Sequence, residues 1–169
     1  MPSPLIQPMI DEFTRESATT RTLLAASPTE KLDWQPHEKS MTLGALNRHI
    51  AMVPKHLCDF LTNDTFDFAN ANTPPLGAET TEAILDAFDE SLSHAQNTLA
   101  EYDDAFASAN WSAVFNGKQV IAAPRFAAVR SFILNHIYHH RGQLSVYLRL
   151  LNVPVPSVYG PTADINPFA

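Results

Sequence analysis

The sequence predicts an all-α protein, a four-helix bundle with a long crossover connection. Three observations predict it. Apolar residues recur at three- and four-residue steps in four separate segments. The chain has only five glycines and few β-branched alternations, which argues against a β-rich fold. A long polar stretch separates the second segment from the third. Four amphipathic helices bury their stripes most economically against one another.

The first segment opens at Ser3-Pro4, a plausible N-cap followed by proline at the first helical position, with Ile6, Ile10, Phe13, Ser17 and Leu24 on one stripe. Ser27-Pro28 stops it, and "SPTE" then reads as a capping box opening a short turn that reaches Trp34. The second runs from about Thr42 to Leu61, with Leu43, Leu46, Ile50, Val53, Leu57 and Phe60 on one face. Pro54 interrupts it; an interior proline removes the hydrogen bond to the carbonyl of Ile50 and kinks the helix. Such a kink either opens space beside His49 or simply bends the helix around the bundle. Residues 62–79, "TNDTFDFANANTPPLGAE", allow a crossover instead of a tight hairpin. The third segment carries Leu85, Phe88, Leu92, Ala95, Leu99, Tyr102 and Phe106. Between it and the fourth, Asn116-Gly117 within "WSAVFNGKQVIAA" signals a type I′ hairpin, with an irregular loop as the alternative. The fourth runs from near Pro124 to about Leu151, with Val129, Ile133, Ile137, Leu144, Leu148 and Leu151 on one face. The tail, "VPVPSVYGPTADINPFA", is too rich in proline to be helical.

At 169 residues the chain reads as one domain, residues 1–169, large enough for a single core. Apolar residues at 45% and charged residues at 17% describe a soluble globular protein, and no apolar run is long enough for a membrane span. Cys58 is the only cysteine, which fits a reducing compartment; with no signal-peptide pattern, a cytoplasmic location is expected. The net charge is −7 and the 11 basic residues are scattered, so no nucleic-acid footprint is visible.

The anomaly in this composition is histidine. Seven are present, and "NHIYHHRGQLSVYLR" places three of them within five positions. With His136 at zero on a helix, His140 lies at about +40°, Tyr147 near +20° and Ile133 near +60°. His136 and His140 therefore face inward with the apolar stripe. His139, near −60°, points toward the rim. Histidines at i and i+4 stack their rings where one metal ion bridges them. On the second helix His49 lies between Leu46 and Val53, on the flank of the stripe, and its ring reaches the interior. His56, one heptad later and close to the helix end, is the weaker third ligand. The candidate metal ligands are thus His49, His136 and His140. Core histidines with ordinary hydrogen bonds are the competing reading, and the residues alone do not choose.

"HIYHHRGQLSVYLR" followed by "VPVPSVYGP" resembles the C-terminal motif of the DinB/YfiT-like family of metalloenzymes. "WQPHEKSMTLGALNRHI" resembles the same family's second-helix signature, with Trp34 and Pro36 in the lead-in. The resemblance spans nearly the whole chain. It implies a DinB-like four-helix bundle, often a homodimer, with a metal held by His49, His136 and His140. A band of Val146, Tyr138 and Phe132 outside the core stripe offers a surface for that dimer.

Three neutral imidazoles leave a divalent ion an open position for water or a small-molecule substrate. Zinc suits such a site; nickel and iron also accept imidazole. The ion would either hold a thiol as thiolate, for transfer or isomerisation, or lower the pKa of water for hydrolysis. The resemblance favours the first, because characterised relatives include transferases and isomerases that use low-molecular-weight thiols such as bacillithiol or mycothiol. A hydrolase, and a non-catalytic metal- or ligand-binding bundle, are the alternatives. Tyr147 lies on the ligand face as a pocket or packing residue, Arg141 and Gln143 are expected to flank the helix surface, and Cys58 is expected to be buried. No carboxylate stands at a spacing that marks a general base.

Overall fold

The computed structural model describes residues 2–70 and 80–169, and these are mostly helical. Three long helices come first: α1 (Gln7–Ala25), α2 (Leu43–Leu61) and α3 (Thr81–Ala100). A short helix, α4 (Asp104–Ser108), precedes a fourth long stretch made of α5 (Arg125–Ala128), a π-helical turn (Val129–Leu134) and α6 (Asn135–Leu150). The expectation of an all-α chain needs correction. A small sheet is present, ordered β1 (Thr65–Asp67), β2 (Asn110–Phe115), β3 (Lys118–Pro124), with β1 parallel and β3 antiparallel to β2. Asn116 (φ 50°) and Gly117 (φ 74°) occupy the left-handed region between the paired Phe115 and Lys118, as the Asn-Gly signal predicts.

Local chemistry explains where the helices start and stop. The Thr42 hydroxyl accepts from the Ala45 N–H at 3.1 Å and caps α2; Thr80 does the same for α3 through Ala83 at 3.2 Å. Regular α1 begins later than the Ser3 N-cap suggests, at Gln7, although the Ser3 carbonyl already accepts from the Gln7 N–H at 2.9 Å. "SPTE" forms no capping box. Its Thr29–Lys31 stretch is a 3₁₀ turn, and the Thr29 hydroxyl instead accepts from the Thr81 N–H at 3.1 Å. The third apolar segment is split between two helices, because the Asp103 carboxylate accepts from the Phe106 N–H at 2.7 Å and starts α4. Tyr102 and Phe106 still pack edge to face across the break, centroids 4.6 Å apart.

Each of the four long stretches packs on two others: α2 on α3 and the fourth, α1 on α3 and the fourth. Lys55 N–H meets Ser91 and the Cys58 thiol meets the Ala95 carbonyl, so α2 and α3 run parallel. Of the stretch 62–79 read as a crossover, residues 71–79 lie outside the described residues. Contacts of Tyr147 with Met41 and of His136 with His49 run in opposite order, so α2 and α6 are antiparallel.

Buried side chains form two clusters along this interior, one around Phe13, Leu99, Trp111 and Ile133, the other around Leu24, Leu46, Phe88 and Leu148. Of the apolar band expected on the surface, only Val146 stays exposed, now beside Leu150. Phe132 packs against Trp111 with centroids 5.5 Å apart, and the Tyr138 hydroxyl donates to Glu12 at 2.6 Å. Among the described residues no helix is long and apolar enough to cross a membrane.

Candidate metal centre

The start of α2 is pinned to the segment before it. Leu43 and Gly44 donate their N–H groups to the carbonyls of Trp34 and Leu32, both at 2.8 Å. A side chain at position 44 would meet the Leu32 backbone and Cβ at 3.1 Å, so glycine permits this close approach. Trp34 packs edge to face on Tyr147 of α6, centroids 5.7 Å apart, and the Tyr147 hydroxyl donates to the Met41 carbonyl at 3.1 Å. The lead-in thus fixes α2 against α6, two turns below His49. One turn beyond His49, Pro54 disturbs the helix ladder, and the Lys55 N–H is taken instead by the buried Ser91 hydroxyl at 3.0 Å. On the other wall the π-helical turn ends at Leu134, and regular α-helix resumes just before His136. π turns insert one extra residue into the helical phase.

These elements bring three imidazoles together. His136 Nε2 stands 2.9 Å from His49 Nε2 and 2.7 Å from His140 Nε2. Ring centroids are 5.1 Å apart for His49–His136, 4.4 Å for His49–His140 and 4.5 Å for His136–His140. One ligand atom from each residue lies within 4.8 Å of the others. His140 is buried, and His49 and His136 are half-buried. The Nδ1–H of His140 donates to Gln143 Oε1 at 2.7 Å.

Burial, with the neighbouring rings adding to it, pushes His49 and His136 down to about 4. His140 is lowered as well, chiefly by burial. All three rings are therefore neutral near pH 7. A neutral imidazole nitrogen offers one proton or one lone pair, never both. His136 Nε2 makes two short contacts, so only one of them can be a regular hydrogen bond. A divalent cation would remove this deficit, because it would accept a lone pair from each of the three rings. The donor set fits zinc, which binds histidine nitrogen at ~2.0–2.1 Å, and it also suits nickel or iron.

The DinB family model matches residues 1–165. The chain belongs to the DinB family. A DinB-like protein from Bacillus cereus is similar in structure, with TM-score 0.69 and 24% identity over 88% of this chain and 94% of the other. A DinB-like protein from Bacillus subtilis gives TM-score 0.69 at 16% identity, covering 89% of this chain and 97% of its own. Identities at this level speak to fold. No curated protein matches the chain.

In this DinB protein the three histidines singled out by helical phase are the ones that converge. His139 is exposed and His56 lies outside the cluster. Cys58 is buried, its thiol near the Ala95 carbonyl, and burial pushes it up to about 12. Tyr147 serves the packing of Trp34. One residue was misplaced by phase alone. Arg141 is buried, not at the surface, and it ion-pairs with Glu16 of α1 at 2.7 Å. Gln143 is exposed, as expected, yet it is the hydrogen-bond partner of His140. Its i+3 spacing from His140 was the available signal.

Proposed function

We propose that this DinB protein is a metal-dependent enzyme whose ion is held by His49, His136 and His140, and that it is a transferase acting with a low-molecular-weight thiol. The convergence of three neutral Nε2 atoms carries this reading. When bound, the ion supplies Lewis-acid chemistry suited to holding a thiol in its anionic form. The chain's own residues set the conditions for that. Each imidazole presents a lone pair, and the half-buried setting solvates charge poorly, so an anionic sulfur that offsets the ion's charge would be favoured over a neutral ligand.

The nucleophilic sulfur comes from a cosubstrate in this reading. Cys58 is buried in α2 and held in its thiol form, so it does not serve. Among the described residues, no hydrogen bond links an Asp or Glu carboxylate to any of the three rings, and metal-dependent hydrolysis with a carboxylate base gains no support from that. We read the four long helices as a four-helix bundle with a crossover between α2 and α3, forming a single domain. The protein is assigned to the cytoplasm, where small thiols are abundant, and to a homodimer, which light scattering against the 18.7 kDa monomer mass tests directly.

Cobalt substitution tests the function. The cobalt-loaded protein is titrated with bacillithiol, mycothiol and glutathione while the absorption spectrum is recorded. A sulfur-to-metal charge-transfer band with one of them is expected. Silence with all three, joined to metal-dependent ester or amide hydrolysis, overturns the thiol reading in favour of a hydrolase.

A further inference from the structure

We infer that Gln143 is a positioning residue of the histidine centre, fixing which nitrogen of His140 carries the proton. The inference rests on the tri-histidine reading above and adds a residue to it.

A neutral imidazole places its single proton on either nitrogen, and the hydrogen bond made by one nitrogen decides the state of the other. An unconstrained histidine side chain favours the proton on Nε2, which would cap the nitrogen that His140 turns toward His136. Gln143 reverses that preference. Its Oε1 lies 2.7 Å from His140 Nδ1, and an amide oxygen only accepts, so the proton is drawn to Nδ1. Nε2 is left as a lone pair, 2.7 Å from His136 Nε2 and aimed into the cluster.

Helix geometry makes this partnership local. Gln143 follows His140 by three residues in the regular part of α6, where i and i+3 side chains meet on one face. Arg141 keeps that stretch in register, since its buried guanidinium is tied to Glu16 of α1 at 2.7 Å. His49 and His136 receive no such bond at Nδ1 from another described residue. His140 is thus the ligand whose orientation is set by the protein itself. The Gln143 side chain is exposed, so it contributes little to the core, and its bond to a buried ring needs a different purpose.

Two readouts test the inference. The first is the tautomer of His140 in metal-free protein, read by long-range ¹⁵N–¹H NMR. Wild type is expected to carry the proton on Nδ1, and Gln143→Ala to shift it toward Nε2. The second is zinc affinity, measured by competition with a chromophoric chelator. Gln143→Ala is expected to weaken zinc binding roughly 10- to 100-fold, the usual effect of removing a partner of a ligating histidine. Gln143→Glu, whose carboxylate accepts the same N–H, is expected to restore it. A wild-type His140 protonated on Nε2, or a Gln143→Ala variant within twofold of wild type in zinc affinity while His140→Ala loses binding, overturns the inference. If instead His49→Ala, His136→Ala and His140→Ala all leave zinc binding unchanged, the metal reading falls, and the tautomer measurement still decides the role of Gln143.

Discussion

The histidine centre and the buried arginines place polar groups away from water in opposite ways. Arg125 is 1% exposed, yet its Nε donates to the Leu61 carbonyl at 2.8 Å, its Nη2 donates to the Asn63 carbonyl at 3.1 Å, and its guanidinium lies 4.0 Å from the Phe106 ring centroid. It closes the C-terminal end of α2, where free carbonyls favour a cation. Arg141 likewise combines its Glu16 ion pair with a bond to the Glu16 carbonyl at 3.2 Å. In both, donors meet acceptors within the protein. The histidine centre is short of protons for the contacts it makes, a deficit that a bound cation would remove. Full internal pairing marks architecture; converging lone pairs mark a place for a ligand.

Removing a ligand histidine should produce the largest effect. His49→Ala, His136→Ala and His140→Ala are each expected to lose bound metal, measured by elemental analysis of purified protein. His139→Ala is expected to keep it, because that ring is exposed outside the cluster. Full occupancy in all three ligand variants, or loss in His139→Ala as great as in His140→Ala, would show that the wrong face was chosen.

The arginine side of the comparison predicts a stability effect with no metal effect. Arg125→Met leaves the buried Leu61 carbonyl without its donor, whereas the carbonyl of the exposed Asn63 can turn to water. The expected loss is about 2 kcal/mol in denaturant unfolding, given ~1–3 kcal/mol for one orphaned buried group. Zinc affinity should stay within twofold of wild type. A variant that unfolds normally but binds zinc tenfold more weakly would erase the distinction between the two regions.

A smaller effect is expected at the bend in α2. Ser91→Ala removes the acceptor of the Lys55 N–H and should cost about 1–2 kcal/mol. Pro54→Ala lets the α2 ladder re-form, so in the double variant the Lys55 N–H regains a helical acceptor and part of the loss is recovered. Strict additivity in that cycle would show that Ser91 does not compensate for the proline.

These results also bear on how much of the molecule was legible in its sequence. Helix phase placed His49, His136 and His140 together because ligand and core positions obey the same 3.6-residue period. The Asn-Gly pair announced its hairpin because the turn demands positive φ at both residues. What escaped were partnerships between distant segments. β1 pairs with β2 across more than forty intervening residues, and no local pattern specifies that. Arg141 reads as a surface residue until Glu16 and the tail fold around it. The π-helical turn was hidden too, since apolar positions 133 and 134 fit either phase of the pattern.

The finest distinction between the two regions lies in pH. Arginine keeps its charge across the working range. His49 and His136 differ, being lowered from an ordinary 6.5 to about 4 in the folded chain. In metal-free protein the unfolded state takes up protons first as pH falls through about 6.5, while the folded state resists until about 4. The stability these neutral rings contribute is therefore fully present above pH 6.5 and is lost on acidification toward pH 4. Both rings are partly exposed, so solvent screening holds the loss to on the order of 1 kcal/mol. Thermal unfolding of chelator-treated protein at pH 7.0 and 4.8 should show this decline, and the His49→Ala/His136→Ala double variant should show a flatter one. Glu12 and Asp164, both lowered by arginine partners, begin to matter only at the acid end of this window and are common to both proteins. Equal declines in wild type and double variant would mean that the rings are not held neutral by the fold, and the proton deficit at His136 would lose its basis.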